Sequence, residues 1–256
     1  MYYFNTHIRI SSAFLFREMS TRFGRNPGGY IWALIEPLAF IALMTALFQI
    51  ISHTPPMGES YPLFYATGFF GFHIYSDMQS YLKSSLSANK SLLTYPIVAP
   101  VDIVTARFVL QALTTTVVCI VILGSIVWTL RFGISIYWPA LLQAAFFGWL
   151  FGLGLGLINM VLSPKYPLYE KVFTIISRPF FLLSGAFYIP SSLPHPAGDI
   201  LLWNPLCHLV LAFREGFYGP ASVPGLDISY LAKASLSLFF IGAIMFTVSR
   251  SVRDRR

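Results

Sequence analysis

Charge is scarce in this sequence. Asp, Glu, Lys and Arg make up 11% of its 256 residues, where a soluble domain carries about 25%. Beside a hydrophobic share of 56%, that shortage excludes a soluble globular enzyme and a disordered chain. Cysteine is scarcer still: Cys119 and Cys207 alone make no disulfide scaffold. The short alternating segments of an outer-membrane barrel are missing. So is a nucleotide-hydrolysing motif, because none of Lys83, Lys90, Lys165, Lys171 or Lys233 follows a phosphate-cradling glycine pattern. The five histidines (His7, His53, His73, His195, His208) show neither the i, i+4 pairing nor the cysteine spacing of a metal site, so none is expected.

What the sequence has is long apolar runs. Six of them, roughly Tyr30 to Ile51, Pro62 to Tyr81, Ile103 to Leu130, Trp138 to Leu162, Leu168 to Tyr188 and Ser229 to Arg250, reach the 20 or so residues that a spanning helix needs. Lipid offers no partner to an unpaired backbone group, so these runs are read as helices. The fold class expected is all-α, a polytopic membrane protein with six transmembrane helices. As domains, 1–256 reads as a single transmembrane unit. Within it, 1–29 is an amphipathic interfacial helix, 30–250 the six-helix membrane domain and 251–256 a cytoplasmic tail.

The 17 Lys and Arg residues set the orientation. Thirteen fall on one side: Arg9, Arg17, Arg22, Arg25, Lys83, Lys90, Arg107, Lys165, Lys171, Arg250, Arg253, Arg255 and Arg256. Arg131, Arg214 and Lys233 fall on the other, and Arg178 lies inside a run. Both termini are therefore expected in the cytoplasm, and the net charge of +7 needs no nucleic acid to explain it. The first 29 residues lack the apolar core and small-residue cleavage site of a signal peptide. Phe4, Ile8, Leu15, Met19 and Phe23 recur at helical spacing, so this segment is expected to rest in the headgroups before Gly24, Pro27, Gly28 and Gly29 turn the chain.

Between the second and third runs, Lys83 to Pro100 reads as a cytoplasmic loop, with a short helix across the membrane face as one reading and a plain connection as the other. Ile189 to Ile228 is proline-rich yet encloses an apolar stretch, Ile200 to Phe217, broken at Asn204-Pro205. It is expected to form re-entrant or interfacial helices at the outer leaflet. Gly148, Gly152 and Gly156 share one face of the fourth run and are read as a small-xxx-small packing stripe.

Two charges sit inside runs, Glu36 before Pro37 and Arg178 before Pro179. A charge at the bilayer centre costs about 2.5–3.5 kcal/mol on insertion scales, so each should face a partner or a polar path. Either the two pair with each other, or Arg178 meets an anionic substrate. Aromatic residues are 17% of the chain, and many lie away from membrane borders, Phe173, Phe180 and Phe187 among them. Their faces suit the C–H faces of sugar rings.

Three motifs in order resemble a known family. Arg22-Phe-Gly-Arg-Asn-Pro-Gly-Gly-Tyr-Ile-Trp32, running into Glu36-Pro37, resembles the membrane subunit of polysaccharide ABC exporters. Arg178-Pro-Phe-Phe-Leu-Leu-Ser-Gly185, and Trp203-Asn-Pro-Leu206 followed by Arg214, resemble motifs of its capsule-export branch, the KpsM-like permeases. The resemblance covers essentially the whole chain. It implies a homodimer joined to two cytoplasmic ABC ATPase subunits, moving a lipid-linked anionic polysaccharide across the bacterial inner membrane. No catalytic residue and no cofactor would belong to this chain, since ATP and Mg are held by the ATPase. A periplasmic polysaccharide co-polymerase and an outer-membrane export protein would continue the path.

By the same resemblance, the first and fifth spans line a canyon, with Tyr30, Trp32, Glu36, Arg178, Phe180 and Phe187 as the substrate path. Leu92, Leu93, Thr94, Tyr95 and Pro96 would belong to a coupling helix docked on the ATPase. Arg9, Arg17, Arg22 and Arg25 would recruit the lipid anchor. Rival readings are an O-antigen or teichoic-acid exporter and a type 2 ABC exporter of small molecules. A membrane transferase should show clustered catalytic residues at one membrane face, and a secondary carrier related halves; neither is evident.

Overall fold

The structure, a computed structural model, describes residues 2–23, 29–52, 54–95, 97–130 and 133–249. Helices dominate them: α1 (Tyr2–Phe23), α2 (Gly29–Ile51), α3 (Tyr61–Lys83), α4 (Ser85–Ala88), α5 (Pro100–Thr129), α6 (Trp138–Lys165), α7 (Pro167–Leu182), α8 (Ala197–Leu202), α9 (Pro205–Tyr218) and α10 (Ile228–Val248). No strand occurs among the described residues. Among the described residues, four helices are long and apolar enough to cross a membrane: Ile31–Ile51 of α2, and the whole of α5, α6 and α10. The chain is an all-helical, polytopic membrane protein.

The bundle is built on α3 and α6. Helix α3 carries Thr67, His73, Ser76, Asp77, Gln79 and Ser80, which would be costly against lipid. Most of it is buried instead, packed between α5, α6 and α9. Close approach of helices comes from the glycines of α6. A Cβ on Gly148, Gly152 or Gly156 would strike Ile74, Met78 or Leu82 of α3. Gly154 faces the other way, against the backbone of Leu238 and Phe239 in α10, and Gly242 of α10 answers against the Gly154 carbonyl. The expected stripe is real, and a second stripe interleaves with it. Gly154→Ala should force α6 from α10 and destabilise the protein by about 1–3 kcal/mol. Thermal unfolding in detergent measures this, and an unchanged midpoint would refute it.

The fifth apolar run differs from expectation. A helix through Tyr188 was anticipated, but α7 stops at Leu182. Its 16 residues give about 24 Å, short of a hydrocarbon core of about 30 Å. Gly185 adopts φ +73°, a left-handed conformation that ends helices and favours glycine. The Ser184 hydroxyl donates to the Phe181 carbonyl, closing the last turn.

Two other segments gain detail. Within the stretch expected to form re-entrant or interfacial helices, nearly all of α9 is buried against α3 and α6. The face that α1 turns to the bundle is not the apolar stripe read from the sequence. Phe14 and Glu18 are its buried positions, with Ile10 and Arg22 partly covered, while Met19 and Phe16 are exposed. A four-residue spacing from Ile10 to Arg22 therefore faces the bundle, and a carboxylate sits within it. Phe4, Ile8 and Phe23 of the expected stripe have side chains outside those described.

Candidate functional site

Polar chemistry gathers in three places. The first is beneath the Glu36 half of α2. An aromatic cluster fastens α2 and α7 to α3: Phe40 lies 4.9 Å from Phe69 and 5.5 Å from Phe181, and Phe181 lies 4.8 Å from Phe72 and 4.9 Å from Phe187. Beside this cluster two recesses open. One, of about 350 Å³, lies between α2, α3 and α5, and its polar walls include Arg22, Glu36, His73, Asp77, Ser80 and Gln111. The other, of about 490 Å³, lies between α2, α3 and α7 and includes Lys83, Ser177 and Arg178. They share Glu36, Phe69, His73 and Ser80. Glu36 and Arg178 thus line the same recess, as the sequence suggested for paired or path-lining charges. No ion pair within 4.0 Å joins them among the described residues.

The predicted path residues are brought together only in part. Glu36 and Arg178 line the recess, and Phe180 is exposed on α7 close to it in sequence. Trp32 is 60% exposed on α2 and lines neither recess. Phe187 is partly buried in the aromatic cluster, 6.0 Å from Phe40 and 4.9 Å from Phe181, so it packs. The Tyr30 side chain lies outside the described set.

The second place is the α1 end of the bundle. Glu18, 5% exposed, accepts hydrogen bonds from three elements at once. Arg107 of α5 donates from Nε at 3.1 Å and stands in ion-pair contact through Nη2 at 3.1 Å. Asn89, just past α4, donates at 2.9 Å, and the Tyr81 hydroxyl of α3 donates at 3.0 Å. Burial alone would push the Glu18 carboxyl up. The Asn89 hydrogen bond and the Arg107 charge outweigh it and hold the group below its usual range. Around this clasp, Arg17 donates to Asn89 at 3.1 Å and Arg22 to Gln111 at 2.7 Å, with the Arg22 guanidinium 4.2 Å over the Tyr81 ring. At the other end of α1, His7 meets Asp102 at 2.9 Å.

This clasp qualifies the role foreseen for the basic residues. Arg17 and Arg22 are tied into protein; Arg9 is exposed; Arg25 lies outside the described residues. The neighbouring loop also departs from expectation. The short helix is α4, at Ser85–Ala88, and Leu92 to Tyr95 form turns closed by bonds such as Leu92 N–H to Asn89 O at 3.1 Å. Leu93 is buried, Leu92 partly so, and Thr94 and Tyr95 are exposed beside exposed Ile97. Pro96 lies outside the described residues.

The third place is the opposite end, where the two later motifs meet. Asn204 caps α9, accepting from Leu206 N–H at 3.0 Å, and its amide donates to the Leu183 carbonyl at 3.2 Å. Pro205 comes next, at the first helical position, where its missing N–H does no harm. Arg214, fully buried, donates to the carbonyls of Gly185 (2.7 Å), Ala186 (2.7 Å) and Tyr188 (3.1 Å), and its guanidinium lies 4.0 Å over Phe64. The carbonyl loop beyond α7 is thereby pinned to α9. Gly68 of α3 leaves room for it, since a Cβ there would strike the Ala186 carbonyl. Sequence reasoning counted Arg214 with the outer-side cations and named it in the outer-loop motif without foreseeing its burial, and did not mark Glu18, Asn89 or Arg107 as functional.

These three constellations belong to a chain whose residues 12–218 match the model of the ABC-2 type transporter family. The chain belongs to that family. It is 31% identical to the polysialic acid transport protein KpsM of Escherichia coli, over 93% of this chain and 92% of that one. It is 28% identical to the capsule polysaccharide export inner-membrane protein BexB of Haemophilus influenzae, over 93% and 89%. Against the similarly described CtrC of Neisseria meningitidis it is 28% identical over 96% and 94%. As a membrane subunit of an ABC-2 transporter, the chain is not itself the ATPase. Part of each motif at the α7 end holds structure: Gly185 and Ser184 end α7, and Asn204 and Arg214 hold the loop beyond it.

Proposed function

We propose that this chain is the inner-membrane permease of an ATP-driven exporter of lipid-linked capsular polysaccharide. Near full-length similarity to capsule export inner-membrane proteins carries the reading. Its membrane domain, 1–256 as one unit, has six spans: α2, α3, α5, α6, α7 with the residues just beyond it, and α10. Both termini lie in the cytoplasm. Helix α1 lies along the cytoplasmic leaflet, and α8 and α9 cap the outer end.

The permease works as a homodimer with two ATPase subunits that hold ATP and Mg. None of the 16 residues of α7 is buried, and α2 is largely exposed, so these two helices are left for a second copy across a shared canyon. Tyr30, Trp32, Glu36, Arg178, Phe180 and Phe187 serve that path. Arg178 attracts the anionic groups of the polymer, and exposed aromatic faces let sugar rings slide without fixed hydrogen bonds. Tyr95 and its neighbours from Leu92 to Pro96 dock on the ATPase. Arg9 and Arg25 attract the anionic lipid terminus, a near-surface cation being worth about 1 kcal/mol toward an anionic headgroup layer. A periplasmic co-polymerase and an outer-membrane export protein receive the polymer.

The test is restoration of surface polymer in an encapsulated host lacking its own permease, with co-purification of the ATPase subunit. Failure of both would end the reading. Arg178→Ala should reduce surface polymer at least about tenfold, while Arg178→Lys retains most of it. Equal export by the two variants would show that no charge is needed there.

A further inference from the structure

The recess between α2, α3 and α5 has a chemistry that the dimer canyon does not explain. Glu36 and Asp77 both line it, and neither makes a hydrogen bond or ion pair among the described residues. His73 uses Nδ1 toward the Phe69 carbonyl at 3.1 Å, which leaves Nε2 as an acceptor in the neutral ring. Its ring stacks on Phe69 with centroids 3.7 Å apart. Two unpaired carboxylates and a free ring nitrogen at membrane depth are expensive unless a ligand or water reaches them. Beside them the walls carry the aromatic Phe69, Phe70 and Tyr81, hydroxyls such as Ser80, and Arg22, which is tied to Gln111 at 2.7 Å. A volume of about 350 Å³ falls in the range of small-molecule sites, about 300–1,000 Å³.

Such a wall selects its guest by hydrogen-bond sense. The groups left without a partner, two carboxylates and an imine-type nitrogen, all accept, so a guest that satisfies them must donate from several points. Aromatic faces beside them fit the C–H face of a ring. We infer that this recess, which runs from Glu36 at the canyon side of α2 into the subunit toward Asp77, is a binding site for one sugar unit of the exported polymer, its hydroxyls donating to Glu36, Asp77 and His73. The inference rests on the polysaccharide export reading above. The second recess adds the complementary half: Arg178 supplies positive charge on the other side of Glu36, where an anionic group of a neighbouring unit finds its partner, while Lys83 beside it is paired with Glu170 at 2.7 Å. Sugar hydroxyls and anionic groups are thus sorted to opposite flanks of α2.

The inference is tested by thiol protection with the native polymer as the probe. A background in which Cys119 and Cys207 are replaced and export persists receives one cysteine, either Thr114→Cys, which lines only the first recess, or Ser177→Cys, which lines only the second. Inverted membrane vesicles containing the ATPase subunit are prepared from cells that do or do not synthesise the polymer. They are then labelled with a small water-soluble thiol reagent. Polymer should slow labelling at both positions at least about threefold. Asp77→Asn should abolish protection at Thr114→Cys and leave it at Ser177→Cys, which a misfolded variant would not do. Polymer protection at Ser177→Cys alone in the otherwise unchanged permease would overturn the recess site and leave the export reading intact. Equally slow labelling at Thr114→Cys with and without polymer would overturn the sugar assignment in favour of a resident lipid headgroup. Protection at neither position, in cells rich in polymer, would overturn the export reading with it.

Discussion

Arg214→Met should leave little folded permease in the membrane, and Arg214→Lys should recover only part of it. Methionine keeps much of the length and volume but removes every donor. The carbonyls of Gly185, Ala186 and Tyr188 would then be left without the bonds that now satisfy them at 2.7, 2.7 and 3.1 Å. An orphaned buried acceptor costs about 1–3 kcal/mol, so the three together reach about 3–9 kcal/mol. Net stabilities of folded proteins are about 5–15 kcal/mol, so the loss is decisive. Lysine restores the charge. It offers donors from one nitrogen, though, whereas Arg214 spreads them over Nη1 and Nη2 to hold Gly185 and Ala186 at the same time. The measurement is monodisperse yield from membranes with thermal unfolding in detergent. An Arg214→Met protein as stable as the parent would mean that the loop beyond α7 holds its shape without the arginine.

The same residue shows where sequence reading works in a membrane protein and where it stops. Apolar runs located α2, α5, α6 and α10 closely, because a spanning helix must be continuous and self-satisfied in its backbone. The glycine face of α6 was legible for a similar reason: only the absence of side chains lets α3 come so close. Counting cations by side assigns Arg214 a side and says nothing of burial, so it could not show that protein encloses it. The clue was present: Arg214 sits in a stretch from Leu206 to Phe217 that is apolar apart from it, His208 and Glu215, which a solvated loop has no need of. The end of α7 was misplaced because hydropathy continues through Leu182, Leu183, Ala186, Phe187 and Tyr188, while the break depends on the backbone of one glycine. In the candidate site, Glu36 and Arg178 were found because isolated charges in apolar runs are conspicuous. Asp77 and His73 on α3 carried the same signal, but their importance depends on the space that α2 leaves beside them.

Glu18 carried a fainter signal of the same kind. It is a lone acid on a helix whose other charges are Arg9, Arg17 and Arg22, and nothing local requires it. In the structure it is the point at which α1, α3, α5 and the segment after α4 are joined. That segment leads into the exposed Tyr95 and Ile97, the surface proposed to meet the ATPase. Whatever displaces the loop must therefore displace α1, which continues toward α2.

Glu18→Ala should accordingly be the most damaging change at this end. Removing one partner from a buried ion pair strands the other, here Arg107 at 5% exposure, and costs about 3–5 kcal/mol. Glu18→Gln keeps an acceptor for Asn89 or Tyr81 and loses the charge, so its effect should be smaller. The pair Glu18→Ala with Arg107→Ala should lose less than the two single changes added, because the second removes a charge already stranded. Additive losses would show that the two residues do not act on each other.

Acid supplies an independent check. The native fold holds the Glu18 carboxyl below its unfolded range, so the stabilisation is full above about pH 4.5, the ordinary carboxylate value, and declines as pH falls through the lower folded pKa. Below that value the protonated acid keeps no ion pair with Arg107, and α1 should detach from the bundle first. Unfolding measured in detergent between about pH 6 and pH 3 should show a steep acid slope in the parent and a shallower one in Glu18→Gln, which has no proton to take up there. Equal slopes would assign the acid sensitivity to another carboxylate. If the slopes differ as expected and the Gln variant also hydrolyses more ATP for each polymer chain exported, the clasp is what transmits the ATPase stroke from the loop to α1 and onward to α2.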